Sequence, residues 1–195
     1  AGLLSAHPGG IPVRNRIYDS FHAIGYEIRT PEELPNVLYN AYDFNVPQNR
    51  PRVIIVGIPQ DSPLDLNEIY NAISNQRNLE RHLNVYDAIG HLPPLYPLEH
   101  PVREGRVTRS HTLNPNPEIT LHEARNHNAR DRQIYMDWVN NNMNHIPHQA
   151  MVDYYLAMTG HHTLFQKYKS LEWNQPSHTI VAHLAKDGHM FIHPD

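Results

Sequence analysis

Two arginines and a glutamine alternate along residues 48–52 and could form a polar binding site. Gln48, Arg50 and Arg52 occupy every second position, so they fall on one side of the chain if the segment is extended. The apolar tract at residues 53–57 comes directly after them, and its β-branched residues and closing glycine predict a buried strand. Guanidinium and amide groups beside such a strand lose hydration unless they bind a ligand or one another. The alternative is a pair of ordinary surface cations flanking an edge strand.

The elements around this segment must position it. A helix is predicted over residues 13–25, because apolar residues recur near helical spacing and Gly25 can end the helix. Strands are predicted at residues 36–41 and 52–58. The loop between these two strands carries Gln48 and Arg50.

Proline-rich stretches at residues 93–97 and 114–117 are expected to break regular structure and indicate a domain boundary near residues 92–101. Beyond that boundary the patterns predict a helix over residues 123–141 with Ile134, Trp138 and Met136 turned inward, a short helix over residues 152–158 and a strand over residues 177–184.

Composition excludes several classes of protein. The chain has no cysteine, so it contains neither a disulfide framework nor a catalytic thiol, which fits a cytosolic protein. No apolar run approaches the roughly 20 residues that span a bilayer, and no signal-peptide pattern is present, so no membrane partner is expected. Gly9 and Gly10 do not follow a predicted strand, so we interpret them as a plain turn and not as a nucleotide-binding loop.

Sixteen histidines suggest a metal site. Structural zinc needs several ligands at defined spacing, and neither an HExxH motif nor a paired CxxC motif occurs. We therefore predict no metal ligands, and we expect His127 to order a turn. A histidine-rich metal-binding or nuclease-like domain remains an alternative hypothesis, which stoichiometric zinc in the purified protein would support.

The charge distribution bears on nucleic-acid binding. The formal net charge of −4 is unusual for a DNA-binding protein, whose affinity comes largely from neutralising phosphates. The acidic excess lies entirely in residues 1–99, and arginines outnumber carboxylates over residues 103–132. This local basic patch is weak by the standards of autonomous DNA-binding domains.

Four segments carry a resemblance to one family. Residues 36–57 read NVLYNAYDFNVPQNRPRVIIVG and closely resemble the Gln-x-Arg-x-Arg region of the DNA cytosine-5 methyltransferases, with the strands on either side of it. Residues 1–5 resemble the segment after the family's Glu-Asn-Val motif, residues 85–94 resemble the entry to its target recognition domain, and residues 173–180 with 188–195 resemble the end of that domain. The resemblance covers nearly the whole chain, with the segments in the family's order.

The resemblance implies an internal fragment of such an enzyme. The family's Phe-x-Gly-x-Gly cofactor loop, its Pro-Cys nucleophile and its Glu-Asn-Val motif would precede Ala1, and a further motif with the closing helix would come after Asp195. Enzymes of this family flip a cytosine out of the duplex and transfer a methyl group from S-adenosylmethionine to ring carbon five. We therefore expect the fragment alone to be inactive and to bind no S-adenosylmethionine, which serves the complete enzyme.

The same resemblance implies roles for individual residues. Arg52 would lie beside the flipped base and stabilise the charge that develops there. Arg50 would support the active-site loop or reach the DNA backbone, and Gln48 would mainly hold the geometry of the loop. These three residues are the candidate catalytic set.

The candidate DNA contacts lie later in the chain. Thr179 matches the threonine that the family places close to the flipped-out base, and its neighbour His178 is nominated with it. A recognition domain in the major groove would also use cations for phosphate or guanine contacts. For each of these cations a solvated surface position is an equally good interpretation; they are Arg106, Arg109, Lys167 and Lys169.

The fold we expect is mixed α/β. Residues 1–91 would form a partial remnant of the S-adenosylmethionine-dependent methyltransferase sheet, and residues 92–195 an irregular, loop-rich target recognition domain. The partners would be double-stranded DNA and the missing N-terminal catalytic portion, in a bacterial restriction-modification system in the cytoplasm, associated with the nucleoid through DNA. The exposed sheet edge of the isolated fragment could drive dimerisation. The alternative is a separate DNA-binding subunit that complements a catalytic chain.

Overall fold

The chain is organised as two compact units. The computed structural model describes residues 2–78, 80–182 and 188–195. Unit 1 consists of Ala1–Val85 and Gln175–Thr179, and unit 2 of Tyr86–Asn174 and Ile180–Asp195. In these described ranges no helix is both long enough and apolar enough to cross a membrane. Helices are mixed with small sheets, which is consistent with an α/β fold.

The regular elements are short. In chain order the helices are α1 (Gly2–Ser5), α2 (Val13–Ala23), α3 (Leu66–Ser74), α4 (Val85–Ile89), α5 (Ala129–Asn140) and α6 (His148–Thr159). The strands are β1 (Tyr26–Glu27), β2 (Leu38–Asn40), β3 (Gln48–Asn49), β4 (Pro51–Val53), β5 (Ile58–Pro59), β6 (Pro97–Glu104), β7 (Val107–His111) and β8 (Ser177–His178). Turns of 3-10 helix occupy Pro8–Gly10, Leu34–Val37, Ala41–Phe44, Met143–His145 and Gly188–Met190.

The described strands pair two by two. In unit 1, β1 pairs with β5 and β2 with β4, both antiparallel, and β3 pairs with β8 in parallel. In unit 2, β6 and β7 form an antiparallel hairpin. The predicted helix over residues 13–25 is confirmed as α2, and Gly25 comes after it with φ 81°, a conformation that glycine adopts without strain.

The core of unit 1 explains why one strand prediction is wrong. Residues 52–58 do not form a single buried strand, because β4 ends at Val53 and Ile54 is 40% exposed. The buried Tyr70 of α3 supplies the backbone partners instead: its hydroxyl donates to the Ile54 carbonyl (3.2 Å) and accepts from the Val56 N–H (2.9 Å). A side chain from a distant helix therefore replaces the ladder that the local pattern predicted.

The core of unit 2 lies between α5 and α6. Ile134 and Trp138 are buried as predicted, whereas Met136 is 56% exposed, so the prediction that it faces inward is wrong. Residues two apart on a helix lie on opposite faces, so Met136 cannot share the face of its neighbours. The predicted helix over residues 152–158 is confirmed within α6.

Two other sequence predictions are confirmed only in part. The proline-rich stretches at residues 93–97 and 114–117 lack regular structure as predicted, except that Pro97 begins β6, whose register shifts between Pro97 and Val102. A two-stranded hairpin has only edge strands, which tolerate proline. The strand predicted over residues 177–184 is limited to β8, and its last two residues, His183 and Leu184, lie outside the described part of the chain.

Candidate functional site

The Gln-x-Arg-x-Arg segment lies where the chain changes strand partners. Gln48 belongs to β3, which pairs with β8, whereas Arg52 belongs to β4, which pairs with β2. Arg50 lies between these strands and is half-buried. Its Nη1 donates to the Gln48 Oε1 (3.4 Å), and Nη1 of the exposed Arg52 donates to the Pro51 carbonyl (2.7 Å). The Gln48 and Arg50 side chains thus contact each other, and the Arg52 side chain stands apart from that pair.

Both arginines line one cavity of unit 1. The cavity has a volume of about 480 Å³, and most of its wall is apolar. A cation at an apolar wall interacts strongly with an anion or with a developing negative charge once the bound group has displaced the water between them. The remaining lining residues are Tyr39, Ala41, Phe44, Val46, Ile54, Ile73 and Gln76.

The segment that contains Thr179 contacts the Gln-x-Arg-x-Arg segment through β8. Gln48 pairs with Ser177, and the Ser177 N–H donates to the Pro47 carbonyl (2.9 Å). The half-buried Thr179 donates its hydroxyl to the Asn49 carbonyl (2.9 Å), although these two residues are 130 positions apart in sequence. The half-buried His178 lies opposite Asn49 in the same ladder. The fold therefore brings the two nominated segments together.

One residue of this site was not predicted from the sequence. The Asn40 carboxamide accepts the Arg50 backbone N–H at 2.8 Å. The Ala41 carbonyl, which would accept this N–H in a regular antiparallel ladder, accepts the Val46 N–H instead. No local pattern in the sequence signals this bond, because it depends on where the chain turns after β2.

The four nominated cations lie in unit 2, on two segments. Arg109 is engaged within the hairpin: Nε and Nη2 donate to Glu104 Oε1 (3.0 and 2.8 Å), and Nη1 donates to the His111 carbonyl (3.3 Å). Arg106 is exposed at the turn between β6 and β7 and makes no hydrogen bond or ion pair with the described residues. Lys167 is exposed and Lys169 is half-buried.

A tyrosine and two histidines form a partly buried cluster in unit 2. The Tyr135 hydroxyl lies 2.5 Å from Nδ1 of His189 and 3.3 Å from Nδ1 of His127. Burial raises the pKa of Tyr135 to about 12. Burial and the charge of Arg125 lower the pKa of His127. Within the described ranges, no group of three or more His, Cys, Asp or Glu side chains could hold a metal ion.

The lowered pKa of His127 predicts a pH dependence of stability. The unfolded chain, with a histidine pKa of about 6.5, binds this proton before the folded chain does. The free energy of unfolding should therefore fall as the pH drops from about 7.5 to 5.5, because the unfolded state gains more protons. Urea unfolding of His127→Gln should show a smaller pH dependence than the wild type. His100→Gln, a change at an exposed histidine, is the control, and an equal reduction there would contradict the prediction.

Comparison with known proteins defines the class. The profile of the C-5 cytosine-specific DNA methylase family matches residues 2–187, and the chain belongs to that family. It is 28% identical over 218 residues to the type II methyltransferase M.Bpa9945I of Bacillus paralicheniformis, an alignment that covers 100% of this chain and 46% of that protein.

Two other relatives match shorter parts of the chain. The type II methyltransferase M.BspRI of Lysinibacillus sphaericus is 38% identical over 86 residues, which is 43% of this chain and 18% of that protein. The type II methyltransferase M.AgeI of Thalassovita gelatinovora is 57% identical over 28 residues, 14% of this chain and 6% of that protein. The chain thus spans less than half the length of the relatives it matches. No solved structure gives a significant match.

Proposed function

We propose that this chain is the part of a DNA cytosine-5 methyltransferase that carries the Gln-x-Arg-x-Arg region and the target recognition domain. The complete enzyme would bind double-stranded DNA, flip a cytosine and methylate its carbon five, in a restriction-modification system. Family membership and the names of the relatives support this activity. The supporting observation in the fold is the parallel β3–β8 pair, which places Thr179 against the Gln48 strand.

The cavity beside Arg50 and Arg52 suits the chemistry of this reaction. Adding a nucleophile to a cytosine ring moves negative charge into the ring, and a fixed cation lowers the energy of that state. The exposed Arg52 guanidinium would face the flipped base, and the half-buried Arg50 would hold the loop through its contact with Gln48. The apolar wall would exclude water from the base.

The methyl donor requires residues from outside this chain. S-adenosylmethionine supplies the methyl group when it is bound. Among the described residues, Gly9 and Gly10 lie in a 3-10 turn that comes after α1 and not after a strand, so they do not fit a strand-to-helix cofactor loop. We assign no residue of this chain to cofactor binding. The chain has no cysteine, so the nucleophile must also come from another segment or another chain.

The reaction product tests the proposal. The complete protein, incubated with duplex DNA and S-adenosylmethionine, should produce 5-methylcytosine, which mass spectrometry of the digested DNA identifies. Methylation of an exocyclic nitrogen in place of carbon five would overturn the proposal. The intact mass of the native protein tests the alternative of a separate subunit, because such a subunit would be a polypeptide without the catalytic motifs.

The two arginines of the hairpin should differ in DNA binding. Arg106 is exposed at the turn, whereas the charge of Arg109 is already paired with Glu104. In the complete protein, Arg106→Ala should weaken DNA binding and lower the slope of log affinity against log salt by about 1. Arg109→Ala should change this slope less. Binding titrations at several salt concentrations measure both variants, and equal slopes for both would contradict the assignment.

A further inference from the structure

The Arg50 peptide is held at a break in the strand ladder. In the β2–β4 register Ala41 lies opposite Arg50, and a regular antiparallel ladder would have the Arg50 N–H donate to the Ala41 carbonyl, but that carbonyl accepts the Val46 N–H (3.2 Å). The Asn40 Oδ1 accepts the Arg50 N–H instead, at 2.8 Å. On its other side, the Arg50 carbonyl accepts the Ala41 N–H at 3.2 Å. Both polar groups of the Arg50 backbone are thereby fixed from β2 and the turn that comes after it.

The Asn40 side chain has a defined orientation. Its Oδ1 accepts two backbone donors, from Tyr42 (3.3 Å) and from Arg50 (2.8 Å). Only the oxygen of a carboxamide can do this, so its Nδ2 must point the other way. There Nδ2 donates to Oδ1 of Asn49 at 2.9 Å. The Asn40 side chain therefore joins the Ala41–Phe44 turn to Asn49 and Arg50.

The same set of hydrogen bonds continues to the segment that contains Thr179. The Asn49 carbonyl accepts the Thr179 hydroxyl at 2.9 Å, and Asn49 pairs with His178 in the β3–β8 ladder. Asn40, Asn49 and Thr179 thus form a continuous connection between the backbone of Arg50 and the segment that returns at residue 177. None of these bonds involves a group that must change its protonation state.

We infer that Asn40 is a positioning residue of the methyltransferase site, which acts by fixing the Arg50 backbone and by joining it through Asn49 to Thr179. The inference rests on the proposed function of this site. Asn40 contacts none of the reacting groups in this role. Its loss should leave the binding of DNA and S-adenosylmethionine largely intact and should misplace Arg50 during the chemical step.

The test uses the complete enzyme and two types of substitution. Asn40→Ala removes all three hydrogen bonds and should lower kcat by about tenfold to a hundredfold, with little change in KM for DNA, because small displacements of catalytic groups cost factors of this size. Asn40→Asp keeps an acceptor for both N–H groups, and the Asn49 amide can turn to donate to it, so kcat should be largely restored. A residue that only supported the fold would not give this separation of kcat from KM.

A third variant protects the test against misfolding. A serine hydroxyl at position 40 can accept from the Tyr42 N–H two residues along but is too short to hold Arg50. Asn40→Ser should therefore keep the thermal stability of the wild type and still show the low kcat. Asn36→Ala is the matched control, since Asn36 is exposed on the same unit and its side chain makes no hydrogen bond with the described residues.

The outcomes separate this inference from the proposed function. A wild-type enzyme that forms no 5-methylcytosine would overturn the proposed function itself. An active wild type whose Asn40→Ala and Asn40→Ser variants keep their kcat would overturn only the role of Asn40. An Asn40→Asp variant as slow as Asn40→Ala would do the same, because it would show that the acceptor oxygen is not what matters.

Discussion

The complete enzyme carrying Arg52→Ala should lose methyl transfer and retain sequence-selective DNA binding. Arg52 is exposed at the cavity and, among the described residues, its side chain donates only to the neighbouring Pro51 carbonyl, so its removal should leave the fold of unit 1 intact. Loss of one donor aimed at a developing charge lowers turnover by about a hundredfold to a thousandfold. Single-turnover methylation and gel-shift titration with the same duplex measure the two properties separately.

A second exposed arginine of unit 1 provides the control for Arg52→Ala. Arg16 is also exposed on unit 1, where it donates to the Pro8 carbonyl (2.7 Å) far from the motif loop in sequence. Arg16→Ala makes the same change in net charge and should leave turnover unchanged. Arg52→Lys keeps the charge without the planar fork, so it should recover part of the lost rate. Normal turnover in Arg52→Ala would remove Arg52 from the site.

Trp138→Ala should have the largest effect on the stability of unit 2. Trp138 is 1% exposed and packs with Tyr154 and Tyr168, with ring centroids at 6.2 and 5.6 Å. Its indole N–H donates to Asn144 Oδ1 (2.8 Å), which also accepts the Ser170 N–H. Truncation of such a residue leaves a cavity and costs about 3–5 kcal/mol. Denaturant unfolding monitored by circular dichroism measures this loss.

A nearby surface residue provides the comparison for that variant. Met136 lies on the same helix and is exposed, so Met136→Ala should change the free energy of unfolding by less than about 0.5 kcal/mol. Equal destabilisation by the two substitutions would contradict the packing described for α5. Trp138→Phe should fall between them, because it keeps most of the apolar volume and loses the bond to Asn144.

The sequence was sufficient to predict the structural features that depend on residues close together in the chain. The helical spacing of apolar residues located α2, α5 and α6, because the buried face of a helix repeats within one or two turns. The alternation of residues 48–52 predicted that Gln48, Arg50 and Arg52 share one side; Arg50 and Arg52 line one cavity, whereas Gln48 is not among its lining residues. These predictions needed no knowledge of distant partners.

The features that the sequence did not predict depend on distant partners. The tract at residues 54–57 is apolar enough for a strand, but it is irregular, and the Tyr70 hydroxyl bonds the Ile54 carbonyl and the Val56 N–H. Asn40 accepts the Arg50 N–H in place of the Ala41 carbonyl, and this exchange is defined only after β2 and β4 meet. The contact between Thr179 and Asn49 spans 130 positions, beyond the reach of any periodicity.

The discontinuity of unit 1 has a consequence for evolution and for biosynthesis. Residues 86–174, which belong to unit 2, lie between Val85 and Gln175, and both of these residues belong to unit 1. The entropy of closing an inserted segment grows only logarithmically, by about 0.6 kcal/mol for each doubling of its length. The inserted residues can therefore change in length and sequence while the strands that close the site keep their register. During synthesis, however, the site cannot be completed until the ribosome has passed Thr179, so residues 86–174 of unit 2 are made before the site they interrupt.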